Sequence, residues 1–81
     1  MEQAEVFNRV QDIFREVFGM PDLQISSETA PADIHDWDSL NHVLLISKIE
    51  KQFAIKFSLD NMLAFENVGD ICSGVLNKQP K

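Results

Sequence analysis

The stretch from Ser39 to Phe53 carries apolar residues on two sides of one helix. At ~100° per residue, Leu45, Ile46, Ile49 and Phe53 fall together. Leu40, Val43 and Leu44 fall on roughly the opposite side. The first set is the natural core face. The second is either covered by another layer, such as a long loop, or left as an exposed patch within a turn of Ser39. Patches of that kind mark interaction sites.

The rest of the chain supplies layers for the core face. Residues 3–18 read as a first helix, because Val6, Val10, Ile13 and Val17 recur at helical spacing with Phe7, Phe14 and Phe18 beside them. Gly19 suits the left-handed residue that ends a helix. Residues 20–37 form a long connection, broken by Pro21 and Pro31 and rich in turn formers at Ser26, Ser27 and Thr29. Leu23, Ile25 and Ile34 are placed to tie it to the core. Loops of this length tend to be functional or disordered. Ser58 can cap a short third helix over 59–65, and Asn67 a fourth over 68–77, where Ile71, Cys72, Val75 and Leu76 face inward. The tail Lys78-Gln79-Pro80-Lys81 is expected to fray. No useful β-alternation occurs. The predicted architecture is all-α: one domain over 1–81, a small four-helix bundle with a long first loop and a short third helix.

Eighty-one residues bury a modest core, about 60% of the unfolded surface. A roomy catalytic cleft is hard to fit. The single Cys72 excludes an internal disulfide and a cysteine-rich metal framework, and suits a reducing compartment. No run approaches the ~20 apolar residues that span a bilayer. No basic region followed by an apolar stretch opens the chain, so no signal peptide is expected and the cytoplasm is the default. The formal charge of −6, from 13 acids and 7 bases, argues against nucleic acid and for partners with basic patches.

Ser39 lies between Asp38 and Leu40 at the start of the second helix, with Asp33 and Asp36 upstream. One reading is a helix cap, since Asp and Ser satisfy orphan N–H groups there. A catalytic reading pairs Ser39 with His42, three residues on, but no oxyanion glycines or base-orienting framework accompany them. His35 and His42 lack the further ligands of a metal site and read as solvated.

The order of parts resembles an acyl carrier protein. Asp38-Ser39-Leu40 opens the second helix, and Val43, Leu45, Ile46, Ile49, Glu50 and Phe53 follow at the family's spacing. Phe57, Phe65, Val68 and Ile71 extend the match, which covers nearly the whole chain. The resemblance implies that Ser39 carries 4′-phosphopantetheine, moved from coenzyme A by a Mg²⁺-using phosphopantetheinyl transferase. Acyl groups then ride on the arm as thioesters to loading and processing enzymes. It implies a carrier, not an enzyme, and a monomer. A peptidyl or aminoacyl carrier, or an adaptor lacking the prosthetic group, are the alternatives. The candidate docking surface is Asp36, Trp37, Asp38, Leu40, Val43, Leu44 and Glu50, with Glu28 near it. The family's acyl cleft maps onto Ile46, Ile49, Phe57, Met62, Phe65 and Ile71.

The chain departs from fatty-acid-synthesis carriers. His35-Asp36-Trp37 replaces their small, Gly-rich approach to the serine. Asn41 and Leu44 stand where acids are common, and Lys48 and Lys51 interrupt the far end of the helix. A discrete bacterial-type carrier of a specialised pathway is expected, with partners that bind basically before the serine and hydrophobically after it. Trp37 either anchors the loop or faces partners. Bulky Phe57, Met62 and Phe65 point to a short or polar cargo rather than a long fatty chain.

Overall fold

A computed structural model describes residues 2–78. Helix α1 spans Gln3–Phe18, a 3₁₀ turn Pro31–Asp33, α2 Ser39–Phe53, α3 Leu59–Ala64 and α4 Val68–Lys78. No strand occurs among the described residues. The expected fraying of 78–81 falls mostly outside the described residues; Lys78 itself closes α4.

Local chemistry sets the helix ends. Gly19 adopts φ 62° after α1, with its own N–H and that of Met20 donating to the last-turn carbonyls of Glu16 and Arg15. Ser58 Oγ accepts from Asn61 N–H at 3.0 Å and opens α3, while Asn67 Oδ1 accepts from Asp70 N–H at 2.8 Å at the start of α4. Helix α3 is one residue shorter than the sequence indicates, because Phe65 turns into extended backbone. Proline at the first position of the 3₁₀ turn starts it rather than breaking it, since an N1 residue needs no N–H.

Helix α1 packs against α2 and α4. Val6, Val10, Ile13, Phe14 and Phe18 meet Leu45, Ile46, Ile49 and Phe53 from α2 and Val68, Ile71, Cys72 and Val75 from α4. The long connection lies on this core as an ordered layer. Ile25 and Ile34 are buried and Leu23 packs against the cluster. Its backbone is held as well: Ile25 N–H donates to Gln11 Oε1 at 3.0 Å, and Arg15 Nε–H to the Leu23 carbonyl at 2.7 Å. Val68 and Gly69 N–H donate to the carbonyls of Thr29 and Ser27. These bonds satisfy donors at the start of α4 that helix geometry leaves unpaired. A Cβ on Gly69 would sit 3.0 Å from the Ser27 oxygen, so glycine permits the close approach.

Helix α3 differs from the others in burying none of its residues fully. Met62, and Phe65 just beyond its end, pack against the core, while Leu59 and Leu63 point outward. The connection and α3 therefore flank the start of α2.

Candidate functional site

The start of α2 is fixed before Ser39 is reached. Asp38 is the cap: its Oδ1 accepts from Asn41 N–H at 2.8 Å. Asn41 Nδ2–H donates back to the Asp36 carbonyl at 2.6 Å. Ser39 is thus the first helical residue and is exposed. The cap reading and the exposed hydroxyl are compatible, because the cap is the residue before the serine.

Ser39 lies on the rim of a groove of about 470 Å³ between α2, the connection and α3. Trp37, His42, Met62 and Phe65 line its inner part, and Val43, Leu59 and Leu63 its rim. The walls are apolar except for Asp38, Ser39 and His42. The helix beyond continues the apolar surface outward: Leu40 is 71% exposed, Val43 45% and Leu44 51%, and across the groove Leu59 and Leu63 are 65% and 70% exposed.

Trp37 takes the anchoring one of its two expected places, whereas His42 is placed differently from expectation. Trp37 is 4% exposed and belongs to the core, not to a docking surface. Its ring meets Phe14 edge-on at 5.1 Å and lies near Phe18. Its Nε1–H donates to His42 Nδ1 at 3.0 Å. His42 is therefore not a solvated side chain. Its Nε2 stands 3.0 Å from the Met62 carbonyl. With Nδ1 accepting from the indole, Nε2 is the ring nitrogen left to donate to that carbonyl. His35 is fully exposed, as expected, and its Nδ1 lies 3.2 Å from Asp36 Oδ1.

Asp36, Asp38, Leu40, Val43 and Leu44 form one exposed surface beside the serine, whereas Glu50 sits apart near the far end of α2. The Glu50 carboxylate accepts from Phe57 N–H at 2.8 Å, which ties it to the connector after α2. Between Arg15 and Lys48 no Lys or Arg occurs, while the acids Glu16, Asp22, Glu28, Asp33, Asp36 and Asp38 do. Of the cleft candidates, Met62 and Phe65 line the groove. Ile46, Ile49 and Ile71 are shut in the core, at most 2% exposed. Phe57 stacks edge-on against Phe65 at 5.1 Å, and both rings rest on the backbone at Gly74. Of this pair, Phe65 lines the groove and Phe57 does not. Leu59 and Leu63 belong to the site although the sequence marks them only as apolar positions of a short helix. Six residues cannot bury that many apolar side chains, which was the available signal.

The site suits a phosphopantetheine group. An exposed hydroxyl stands at a helix start, where the N–H groups of the first turn lack intrahelical acceptors and favour a phosphate. An apolar groove opens beside it. No cluster of three or more His, Cys, Asp or Glu residues among those described could hold a metal ion. No helix among them is long and apolar enough to cross a membrane.

A helical carrier domain of the phosphopantetheine-binding class is what this fold and site define, and comparison with known proteins agrees. Residues 8–75 match the family model described as a phosphopantetheine attachment site. An acyl carrier protein of Thermotoga maritima is 31% identical over 76 residues, covering 94% of each chain. One from Saccharopolyspora erythraea is 28% identical over 71 residues, or 88% of this chain and 75% of that one. The solution structure of a holo acyl carrier protein from Geobacter metallireducens superposes with a TM-score of 0.84 at 37% identity, covering 90% of this chain and 84% of that one. The chain belongs to the acyl carrier protein family. It is a carrier that works with a covalently attached 4′-phosphopantetheine group and with partner enzymes, among them a phosphopantetheinyl transferase.

Proposed function

We propose that Ser39 is the attachment residue, and that the chain acts as a monomeric, non-catalytic carrier for a specialised pathway. The observation that carries this is the exposed Ser39 hydroxyl, held at the first position of α2 by the Asp38 cap on the rim of an apolar groove. When bound, the group supplies a flexible arm ending in a thiol, on which an acyl group rides as a thioester. The chain's own residues do the rest. Asp38 fixes the helix start, and so the direction of the Ser39 side chain. Asp33, Asp36 and Asp38 attract basic partners over a distance. Leu40, Val43 and Leu44 offer apolar contact at short range. The groove beside Ser39 shelters cargo. The cytoplasm is the proposed setting, in keeping with a free, buried Cys72.

Intact-mass analysis after incubation with coenzyme A, Mg²⁺ and a broad-specificity transferase tests the assignment. Wild type gains one phosphopantetheinyl group and Ser39→Ala gains none. A wild type left unmodified by several transferases would instead indicate an adaptor that keeps the fold without the group.

A further inference from the structure

We infer that His42 is a positioning residue that latches α3 across the groove and keeps an acyl chain carried at Ser39 out of the core. The inference rests on the carrier reading of Ser39. Helix α3 has no fully buried residue of its own, so little apolar packing holds it. One polar tie spans from α2 to its backbone, the contact between His42 Nε2 and the Met62 carbonyl at 3.0 Å. The other ring nitrogen accepts from buried Trp37, 3.0 Å away. Trp37 in turn is wedged against Phe14 and Phe18 of α1. The latch therefore connects the most weakly packed helix to one of the best packed parts of the core.

Its place in the groove gives the latch a consequence for cargo. His42 lies one turn along α2 from Ser39 and lines the groove with Met62 and Phe65. Behind Phe65, which packs edge-on against Phe57 over Gly74, Ile46, Ile49 and Ile71 are buried and line no part of the groove. A chain entering from Ser39 reaches those isoleucines only if α3 moves away from α2, and that breaks the bond to Met62. Both ring nitrogens of His42 are occupied, so the inner groove offers cargo no hydrogen-bond partner from this residue. The cargo that fits is a short apolar acyl group.

The test uses the full chain in two states. On the unloaded protein, long-range proton–nitrogen NMR spectra read the tautomer of His42. The expected result is a neutral ring protonated on Nε2; a proton on Nδ1 overturns the latch. For cargo, a phosphopantetheinyl transferase moves the acyl-phosphopantetheinyl unit of hexanoyl- or dodecanoyl-coenzyme A onto the Ser39 hydroxyl, releasing adenosine 3′,5′-bisphosphate, and amide shifts are compared. In wild type, dodecanoyl moves resonances of Val43, Leu59 and Leu63 and leaves those of Ile46, Ile49 and Ile71 unmoved. In His42→Leu, which keeps apolar bulk without either bond, the shifts spread to the three isoleucines. His42→Gln, whose amide can accept at oxygen and donate at nitrogen, restores the wild-type pattern. Spread to the isoleucines in wild type, or identical patterns in wild type and His42→Leu, overturns the inference. If His42→Leu does not fold, the wild-type and His42→Gln patterns still decide. Failure to load at all speaks against Ser39 as carrier site, and the tautomer then still decides on the latch.

Discussion

Trp37 shows how one buried polar atom shapes this site. Indole rings bury well only when the N–H finds an acceptor, and here that acceptor is His42. Trp37→Phe keeps the aromatic contact with Phe14 but drops the donor. It is expected to cost ~1 kcal/mol, the usual net value of one hydrogen bond, read as a lower urea midpoint with an unchanged slope. Cys72 gives a second prediction. Burial raises its thiol pKa from 9.0 to about 11. The folded state then holds a proton that the unfolded state releases earlier. The stabilisation is complete below pH 9 and disappears as pH rises through about 11. Over that window the fall in stability is steeper in wild type than in Cys72→Ala, as chemical denaturation at each pH reads out. The place of Ser39 at the exposed start of α2 was legible in the sequence, because a short local pattern, Asp-Ser-Leu, carries it. The role of His42 was not, and for Trp37 the sequence left anchor and partner surface both open. Their partners, Phe14 and the Met62 carbonyl, lie about twenty residues away, and a backbone carbonyl leaves no trace in side-chain identity.

Helix boundaries followed the sequence closely where a side chain enforces them. Gly19, Ser58 and Asn67 each mark an end with known chemistry. Ala54 does not. It ends α2 with φ 55°, a left-handed conformation that an L-residue with a Cβ adopts at a cost. Ala54 is exposed and its side chain packs on little. Ala54→Gly is therefore expected to stabilise the fold by about 0.5–1 kcal/mol, after allowing for the extra freedom glycine gives the unfolded chain. Thermal melting would show the gain as a higher Tm. Gly74 behaves oppositely. A Cβ there would lie 2.9 Å from Phe65 and 3.1 Å from Phe57. The rings form a fixed edge-on pair, so the overpacking cost of ~1–3 kcal/mol outweighs the ~1 kcal/mol gained in helix propensity. Gly74→Ala should be less stable, with displaced Phe57 and Phe65 ring resonances. Nothing in the local sequence distinguishes these two small residues; their backbone angles and neighbours do.

Over the whole molecule, the proposed docking surface would divide partner recognition between charge and apolar contact. On that proposal, long-range attraction would come from the stretch without Lys or Arg between residues 15 and 48. Such attraction is screened by salt beyond about 8 Å at physiological ionic strength and acts mainly on the association rate. The apolar patch of Leu40, Val43 and Leu44 acts only on contact, and so on dissociation. The patch and the acids meet at Ser39, so a partner drawn by the acids would arrive with its apolar surface over the proposed attachment point. The two contributions separate in binding kinetics with the transferase. Asp36→Asn should slow association at low salt and change little at high salt. Leu44→Glu should raise Kd about tenfold or more, mostly through faster dissociation. Because Leu44 is 51% exposed, this substitution should leave the urea midpoint near that of wild type, so a loss of binding reports on the surface and not on the fold. Equal or tighter binding by Leu44→Glu would show that partners meet this face by charge alone, as on a carrier whose second helix is acidic.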